Sequence, residues 1–97
     1  MDLRFEWDVA KASANQRKHR ISFDEAQEVF FDDHALLMAD PDHSTAEDRF
    51  VILGLSRRSR LLVVCHCYRQ SDEVIRLISA RRAGTHERRQ YFQRWNP

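Results

Sequence analysis

A nearly continuous apolar run, Leu61–Tyr68, constrains the fold of this chain more than any other feature of its sequence. The run is interrupted by one histidine, His66. Eight residues rich in Leu and Val are typical of a buried strand rather than a helix. Because such a strand has no polar face, both of its faces must be covered, which predicts a central position in a sheet.

Segments before and after this run have strand patterns of their own. Residues 49–57 alternate apolar side chains between two faces, and residues 74–80 are largely apolar. Short polar turns at 57–60 and 70–72 join them to the central run. We therefore expect three consecutive antiparallel strands connected by hairpins.

Shorter elements are predicted nearer the N-terminus. Phe5 and Trp7 alternate with charged residues, as in a short edge strand. Residues 35–39 are apolar and end at Asp40-Pro41-Asp42, which is a turn sequence. These segments add one or two strands to the predicted sheet.

Two helices are predicted between the first strand and the rest of the sheet. Asp8 stands at an N-cap position, and the Ala-rich residues after it favour a helix to about Lys18. Ser22-Phe23-Asp24-Glu25 has the pattern of a capping box and opens a second helix through about Phe31. The order of elements indicates an α+β fold with helices packed against one sheet.

The length of 97 residues predicts a single domain over residues 1–97. The N-terminus lacks the features of a signal peptide, and no apolar run approaches the roughly 18 residues of a membrane helix. The two cysteines are one residue apart and cannot form an ordinary disulfide. We therefore expect a reduced, cytoplasmic protein that does not contact a membrane.

The two halves of the chain carry opposite charge, which the overall value of +1 conceals. Residues 1–48 hold five Lys or Arg and twelve Asp or Glu, for a charge of −7. Residues 49–97 hold eleven Arg, no Lys and three Asp or Glu, for a charge of +8. Because guanidinium groups bind phosphate through a planar fork, this surplus indicates a polyanion or an acidic protein as partner. The basic half can also neutralise the acidic half across the fold.

A group of residues before the strand at 49–57 has the composition of a catalytic cluster. His43, Glu47 and Arg49 could supply an acid, a base and a positive charge at a phosphoryl centre. Because Glu47 and Arg49 are two residues apart on a predicted strand, the same spacing also fits a surface ion pair.

Cys65-His66-Cys67 has the residue types of a metal site without its geometry. On a strand the two cysteines face one way and His66 faces the other, so the three cannot ligate one ion. We expect the cysteines to lie in the core and expect neither a metal ion nor another cofactor. His66 is either a catalytic histidine or a hydrogen-bonded core residue.

Arg76 lies within an otherwise apolar strand, with Arg81 and Arg82 just after it. Burying an unpaired guanidinium is costly, so Arg76 must meet a carboxylate or face a hydrated groove. An ion pair with Glu47 and a role in binding phosphate both satisfy this requirement.

Two helix ends carry further basic and aromatic candidates. Lys18 and His19 could reach a phosphate, although the helix dipole alone also favours cations at a helix C-terminus. Thr85 can cap a last helix, in which Tyr91 and Trp95 share one face. These aromatic residues could stack on RNA bases, or they could pack in the core while the arginines face solvent or a partner.

Several blocks of residues, taken in order, resemble a known family. The blocks are Phe5-Glu6-Trp7-Asp8 with Lys11, Asn15 and Lys18-His19; Asp40-Pro41-Asp42-His43-Ser44 with Glu47 and Arg49-Phe50; Leu61-Leu62-Val63-Val64 with His66 and Arg69; and Ile75-Arg76-Leu77-Ile78-Ser79-Ala80-Arg81 with Glu87-Arg88 and Tyr91. Over nearly the full length the chain resembles the BrnT family of type II toxins, the ribonuclease toxins that are paired with BrnA antitoxins.

The resemblance implies both a fold and a set of partners. The implied fold is RelE-like, a small antiparallel sheet with two N-terminal helices and one C-terminal helix. The implied activity is RNA cleavage that inhibits translation and arrests growth. The implied partner is a BrnA-like antitoxin in a tight hetero-oligomer, and that complex binds operator DNA through the antitoxin and represses its own operon.

The resemblance and the arginine in an apolar strand together predict a metal-independent endoribonuclease. A ribose 2′-hydroxyl would attack the adjacent phosphate and leave a cyclic phosphate. We expect Glu47 or His66 to act as the base, with Arg49, Arg76 and Arg81 holding the phosphate charge.

The remaining site predictions concern the leaving group and the rest of the RNA. Lys18 or His43 would protonate the leaving oxygen. Further RNA contacts are expected from His19, Arg82, Arg88 and Tyr91. A non-catalytic RNA- or ribosome-binding module, or a protein-interaction subunit, fits the same basic surface and is the alternative.

The chain departs from the family pattern at three positions. Arg20 follows Lys18-His19 where glycine is usual, Ser59 stands where a hairpin glycine is common, and Arg82 replaces a frequent lysine. If position 20 requires a left-handed backbone conformation, arginine costs about 1 kcal/mol there.

Overall fold

The computed structural model describes residues 3–40, 48–70 and 73–94. Five strands, three α-helices and one 3₁₀ helix lie within these ranges. In chain order they are β1 (Arg4–Glu6), α1 (Val9–His19), α2 (Phe23–Ala26), the 3₁₀ helix (Gln27–Phe31), β2 (Leu36–Ala39), β3 (Arg49–Leu55), β4 (Leu61–Arg69), β5 (Val74–Arg82) and α3 (Thr85–Gln93).

The five strands form one sheet in the order β1-β5-β4-β3-β2. Strand β4 holds the apolar run and occupies the centre, as its pattern predicts. The pairs β2–β3, β3–β4 and β4–β5 are antiparallel, but β1 pairs with β5 in parallel. The expectation of a purely antiparallel sheet is therefore wrong. The mixed sheet arises because the first strand lies beside the last one, with α1, α2 and three strands between them in sequence.

Capping residues fix the starts of the helices, with two corrections. Asp8 and Ser22 accept hydrogen bonds from backbone N–H groups of α1 and α2, as predicted. The second helix is α-helical only to Ala26 and continues as a 3₁₀ helix to Phe31. Gly84, not Thr85, is the N-cap residue of α3. The Glu87 carboxylate accepts a hydrogen bond from the Gly84 N–H and so closes the start of the helix.

The Ser22–Glu25 capping box is only half formed. Glu25 is buried, and its carboxylate accepts hydrogen bonds from the Ser56 hydroxyl and the Arg60 guanidinium. The bond to Arg60 holds the pKa of Glu25 below its ordinary value, although burial opposes this. Glu25 therefore ties α2 to the turn between β3 and β4 instead of closing its own helix.

Helices cover both faces of the sheet, but to different extents. One face packs against α1, α2 and the 3₁₀ helix, and we call it the N-terminal face. The buried sheet residues in its apolar cluster are Ile52, Leu62, Val64, Ile75, Leu77 and Ala80. The other face packs against α3 through Tyr91, and we call it the C-terminal face. The buried sheet residues that cluster with Tyr91 are Leu53, Leu61 and Val63.

A β-bulge at Ile78 changes which side chains of β5 face each way. Ser79 pairs with Cys65, but the next residue of β4, His66, pairs with Leu77, so Ile78 is the extra residue. If Ile78 were a regular strand residue instead of the extra one, alternation counted back from Ala80 would put Arg76 in the N-terminal core. The bulge instead buries Leu77 there and turns Arg76 to the C-terminal face beside Cys67.

In the described ranges, no helix is long and apolar enough to cross a membrane.

Candidate active site on the open face of the sheet

Four residues on neighbouring strands form a row across the C-terminal face. In register they are Glu6 on β1, Arg76 on β5, Cys67 on β4 and Arg49 on β3, and we call this set the charged row. Adjacent strands are about 4.8 Å apart, so the backbones of Arg49 and Arg76 are separated by roughly 10 Å. Two arginine side chains can span that distance and converge on one phosphate above Cys67.

Arg76 is held by a carboxylate that the sequence did not single out. Its Nη1 lies 3.2 Å from Oε2 of Glu6, and Oε1 of Glu6 lies 3.4 Å from Nε of Arg69. The Arg76 side chain is 30% exposed, so it faces a wet surface as well as a carboxylate. The alternation in the sequence identifies Glu6 as a residue of the other face. It lies between Phe5 and Trp7, so its side chain is on the face of the strand opposite to theirs.

Two of the predicted cluster residues, His43 and Glu47, lie outside the described residues. The predicted ion pair between Glu47 and Arg76 therefore stays a prediction. Arg49, which follows them, is at the start of β3 and half-buried. Asp40, the residue after β2, lies beside it, and the Asp40 backbone N–H donates to the Arg49 carbonyl.

Lys18 and His19 lie beside the same strand as Arg76. Together with Lys11 they line a cleft between α1 and the stretch of β5 around Ser79. Buried Asn15 fixes this arrangement, because its amide donates to the Ala80 carbonyl and accepts from the Ala80 N–H. These bonds satisfy the edge of β5 beyond the three residues that β1 covers, and they hold the end of α1 against that edge.

Arg81 shares this face but is already engaged. Its two Nη atoms lie 2.8 and 2.6 Å from the Glu87 carboxylate, which also accepts the Gly84 N–H. The bond from Arg81 holds the pKa of Glu87 below its ordinary value and raises the pKa of Arg81. Arg81 therefore anchors the start of α3, and only its remaining donors are left for a phosphate.

The two cysteines face the C-terminal side, as predicted. Cys67 is buried, and the Cys65 thiol donates to Oδ2 of Asp40 at 3.8 Å. Burial and the nearby Asp40 carboxylate raise the pKa of Cys65 to about 11. At neutral pH Cys65 is therefore a thiol and a poor nucleophile. Among the described residues, no three His, Cys, Asp or Glu side chains are grouped to hold a metal ion.

His66 lies on the N-terminal face, away from the charged row. It is fully buried, with its ring packed edge-on against Phe30. Because a carbonyl can only accept, Nδ1 donates to the Val64 oxygen at 3.2 Å, and Nε2 accepts from the Tyr68 hydroxyl at 3.3 Å. Burial lowers the pKa of His66 to about 4. The geometry separates this residue from Arg49 and Arg76, so the expected role as catalytic base is not compatible with its position.

Tyr91 is also a core residue rather than a surface for RNA bases. It is fully buried, and its hydroxyl donates to Oδ2 of Asp32 at 2.6 Å. Asp32 also accepts from the Leu55 N–H at 2.8 Å. Burial raises the pKa of Asp32, but these bonds outweigh it and the pKa lies below its ordinary value. The expected RNA contact by Tyr91 is therefore wrong, and its predicted neighbour Trp95 lies outside the described residues.

The two other predicted RNA contacts are exposed but lie apart from the charged row. Arg82 pairs in register with Leu62, at the end of β5. Arg88 is on α3, with its guanidinium carbon 5.6 Å from the centre of the Phe92 ring. The pairing with Leu62 puts Arg82 on the N-terminal side of the sheet, and Arg88 lies on the helix that covers the other side, so neither joins Arg49 and Arg76.

The arrangement favours binding of an anion on the open face. Arg49 and Arg76 offer planar forks of N–H donors that match phosphate oxygens. Lys18 and His19 sit at the adjoining cleft and can meet a second phosphate or a leaving oxygen. Such a surface suits phosphoryl transfer, in which fixed positive charge stabilises the transition state.

Comparisons with known proteins give a family and a fold. Residues 7–87 match the family model for "Ribonuclease toxin, BrnT, of type II toxin-antitoxin system". The fold is similar to the crystal structure of the Brucella abortus ribonuclease toxin BrnT, with a TM-score of 0.65 and 20% identity. That match covers 87% of this chain and 100% of the other. A search of curated proteins found no match.

Proposed function

This chain belongs to the BrnT family of ribonuclease toxins of type II toxin–antitoxin systems, and we propose that it is a metal-independent endoribonuclease. The observation that carries the proposal is the charged row, in which Arg49 and Arg76 flank Cys67 on the open face. Attack of a ribose 2′-hydroxyl on the adjacent phosphate builds negative charge on the phosphoryl oxygens. Two guanidinium groups on opposite sides of that phosphate stabilise the charge as it develops.

The other roles in the proposal follow from position. Glu47 precedes Arg49 by two residues and is the proposed base that takes the 2′-hydroxyl proton. Lys18 at the cleft beside Ser79 is the proposed acid for the leaving 5′-oxygen, with His43 as the alternative. His19, Arg82 and Arg88 are the proposed further contacts with the RNA.

The biological part of the proposal completes the family description. The chain acts in the cytoplasm as a single RelE-like domain, and its RNA cleavage inhibits translation and arrests growth. A BrnA-like antitoxin neutralises it in a hetero-oligomer. That complex represses its own operon, with operator DNA bound through the antitoxin.

The test is cleavage of a short RNA by protein made in a cell-free system. The wild-type chain should leave a 2′,3′-cyclic phosphate and a 5′-hydroxyl, with equal rates in buffer and in EDTA. Arg76→Ala and Arg49→Ala should each lower kcat by about 100-fold while the protein stays folded. Arg57→Ala is the matched control, because Arg57 is an exposed arginine in the turn at the other end of β3.

Each outcome decides between specific alternatives. Intact RNA with tight, salt-sensitive binding would favour the non-catalytic RNA-binding module. Intact RNA without binding would leave the protein-interaction subunit. Cleavage that EDTA abolishes would reject the metal-independent reaction, and full activity of both arginine variants would reject the charged row as the site. In cells, induced expression should arrest growth and produce new RNA 5′ ends by primer extension.

A further inference from the structure

Glu6 makes a contact that the proposed reaction does not yet use. Its carboxylate bridges two arginines, with one oxygen 3.2 Å from Nη1 of Arg76 and the other 3.4 Å from Nε of Arg69. The residue is 39% exposed and lies in register with Arg76 on the neighbouring strand. Its place in the row follows from the parallel pairing of β1 with β5, which occupies only three residues.

The Glu6 contact leaves most of the Arg76 guanidinium available. A guanidinium carries five N–H donors, and the bond to Glu6 uses one of its terminal nitrogens. An arginine side chain that is partly exposed otherwise loses much rotamer freedom when it binds a ligand. A carboxylate beside the guanidinium removes that freedom in advance and leaves the remaining donors for a ligand.

We infer that Glu6 is a positioning residue, which holds the Arg76 guanidinium in line with Arg49 so that both can meet one RNA phosphate. This inference rests on the proposed ribonuclease function. The carboxylate neither touches the reacting atoms nor transfers a proton. Its contribution is to the orientation of Arg76, so it acts on the transition state more than on RNA binding.

A second ion pair between the same strands provides a matched comparison. Glu73, just before β5, lies 3.5 Å from Arg4 on β1, and both side chains are largely exposed. This pair joins the same two strands but does not include Arg76. If Glu6 only fastens β1 to β5, then loss of either pair should have the same effect.

The experiment compares Glu6→Gln with Glu73→Gln in the RNA cleavage assay. Glu6→Gln should lower kcat by about tenfold. Its KM should be unchanged or lower, since the variant removes a negative charge from the phosphate site. Glu73→Gln should match the wild type in both constants. In an Arg76→Ala background, Glu6→Gln should have no further effect on kcat, because the residue it positions is gone.

Other results would overturn the inference. They are an unchanged kcat in Glu6→Gln, equal losses in Glu6→Gln and Glu73→Gln, or a loss of kcat that is fully explained by a lower Tm. A rise in KM alone would make Glu6 a substrate-binding determinant and would also reject positioning.

A second measurement separates this inference from the proposed function. The ¹⁵N-labelled Arg76 side chain gives an Nε–Hε NMR signal, and a 2′-deoxy oligonucleotide provides a phosphate backbone that cannot be cleaved. If the wild type cleaves no RNA, the proposed function fails, but the NMR signal still tests Glu6. A shift on oligonucleotide addition that is lost in Glu6→Gln supports positioning, whereas equal shifts or no shift in the wild type reject it.

Discussion

The two faces of the sheet differ in how far they are covered. On the N-terminal face, side chains from all of β3, β4 and β5 meet helices or aromatic rings, and even His66 is fully buried with both ring nitrogens hydrogen-bonded. On the C-terminal face, α3 covers only the part around Leu53 and Val63. Beyond it, Arg49, Arg76 and Ser79 are left partly or fully exposed.

The uncovered part of the C-terminal face therefore carries charged residues that the packing of the core does not require. Apolar side chains could have continued across both faces, as the apolar pattern of β4 allows. Instead, one extra residue in β5 turns Arg76 out of the core and into a row with Arg49. Bulges commonly occur next to active sites because they redirect a side chain without rebuilding the strand.

The largest effect should come from exchanging residues 76 and 77, in the double variant Arg76→Leu with Leu77→Arg. With the bulge in place, the exchange puts an arginine in the N-terminal core and a leucine on the C-terminal face. An uncompensated buried arginine together with an exposed leucine should lower the free energy of unfolding by about 5 kcal/mol. Urea denaturation measures this loss.

The control for this exchange is Ile78→Ala, which keeps the backbone and removes only a half-buried side chain. It should cost about 1 kcal/mol. An exchange variant as stable as Ile78→Ala would show that β5 can change register freely. The bulge would then no longer explain the position of Arg76.

A smaller effect is expected from protonation of His66 on the covered face. Burial lowers its pKa from 6.5 to about 4, so the folded state favours the neutral ring. Its contribution to stability is full above pH 6.5 and is lost as the pH falls toward 4, by about 3 kcal/mol in total. His66→Gln should remove this part of the pH dependence and leave kcat at pH 7 unchanged.

His34→Gln is the matched control for the substitution, since the His34 side chain is 61% exposed. At pH 7 it should leave the free energy of unfolding within about 0.5 kcal/mol of the wild type. Loss of RNA cleavage in folded His66→Gln would restore the histidine to the site. It would also contradict the assignment of catalysis to the opposite face.

The sequence predicts the elements of this fold better than the position of its charges. The apolar run of β4, the alternation in β3 and the caps Asp8 and Ser22 are local patterns, and local patterns fix the type and order of elements. The bulge at Ile78 has no turn residue to mark it. It follows from the need to bury Leu77 opposite His66 while Ser79 stays opposite Cys65, which depends on the partner strand.

The same limit applies to the partners of charged residues. Arg76 stands out as functional because a guanidinium is out of place in an apolar strand, and this reasoning needs no partner. Its carboxylate partner, Glu6, lies 70 residues away and comes close only because β1 pairs in parallel with β5. The expected roles of His66 and Tyr91 are wrong because burial on a particular face cannot be obtained from residue type.

The covered part of the C-terminal face is held by a hydrogen bond as well as by the buried ring of Tyr91. Tyr91→Phe keeps the ring and removes the bond to Asp32, so it should lower the free energy of unfolding by about 2 kcal/mol. Affinity for a 2′-deoxy oligonucleotide should be unchanged. Phe92→Ala, which removes an exposed ring beside Arg88, is the control and should cost less than about 0.5 kcal/mol. Reduced oligonucleotide affinity in folded Tyr91→Phe would return Tyr91 to the RNA surface.

The smallest effects are expected away from both faces, at residues with left-handed backbone conformation. Arg20 has φ 62° at the end of α1, and Ser59 has φ 62° in the turn between β3 and β4. Glycine adopts this conformation without a steric penalty. Arg20→Gly and Ser59→Gly should each raise the free energy of unfolding by about 0.5 to 1 kcal/mol, after the greater freedom of the unfolded chain is counted. Since the two sites share no contact, the gains should add in the double variant.

A lower Tm in Arg20→Gly would show that the Arg20 side chain stabilises the end of α1 by more than its left-handed backbone conformation costs. In that case the position of Lys18 and His19 beside β5 would depend on Arg20 as well as on Asn15.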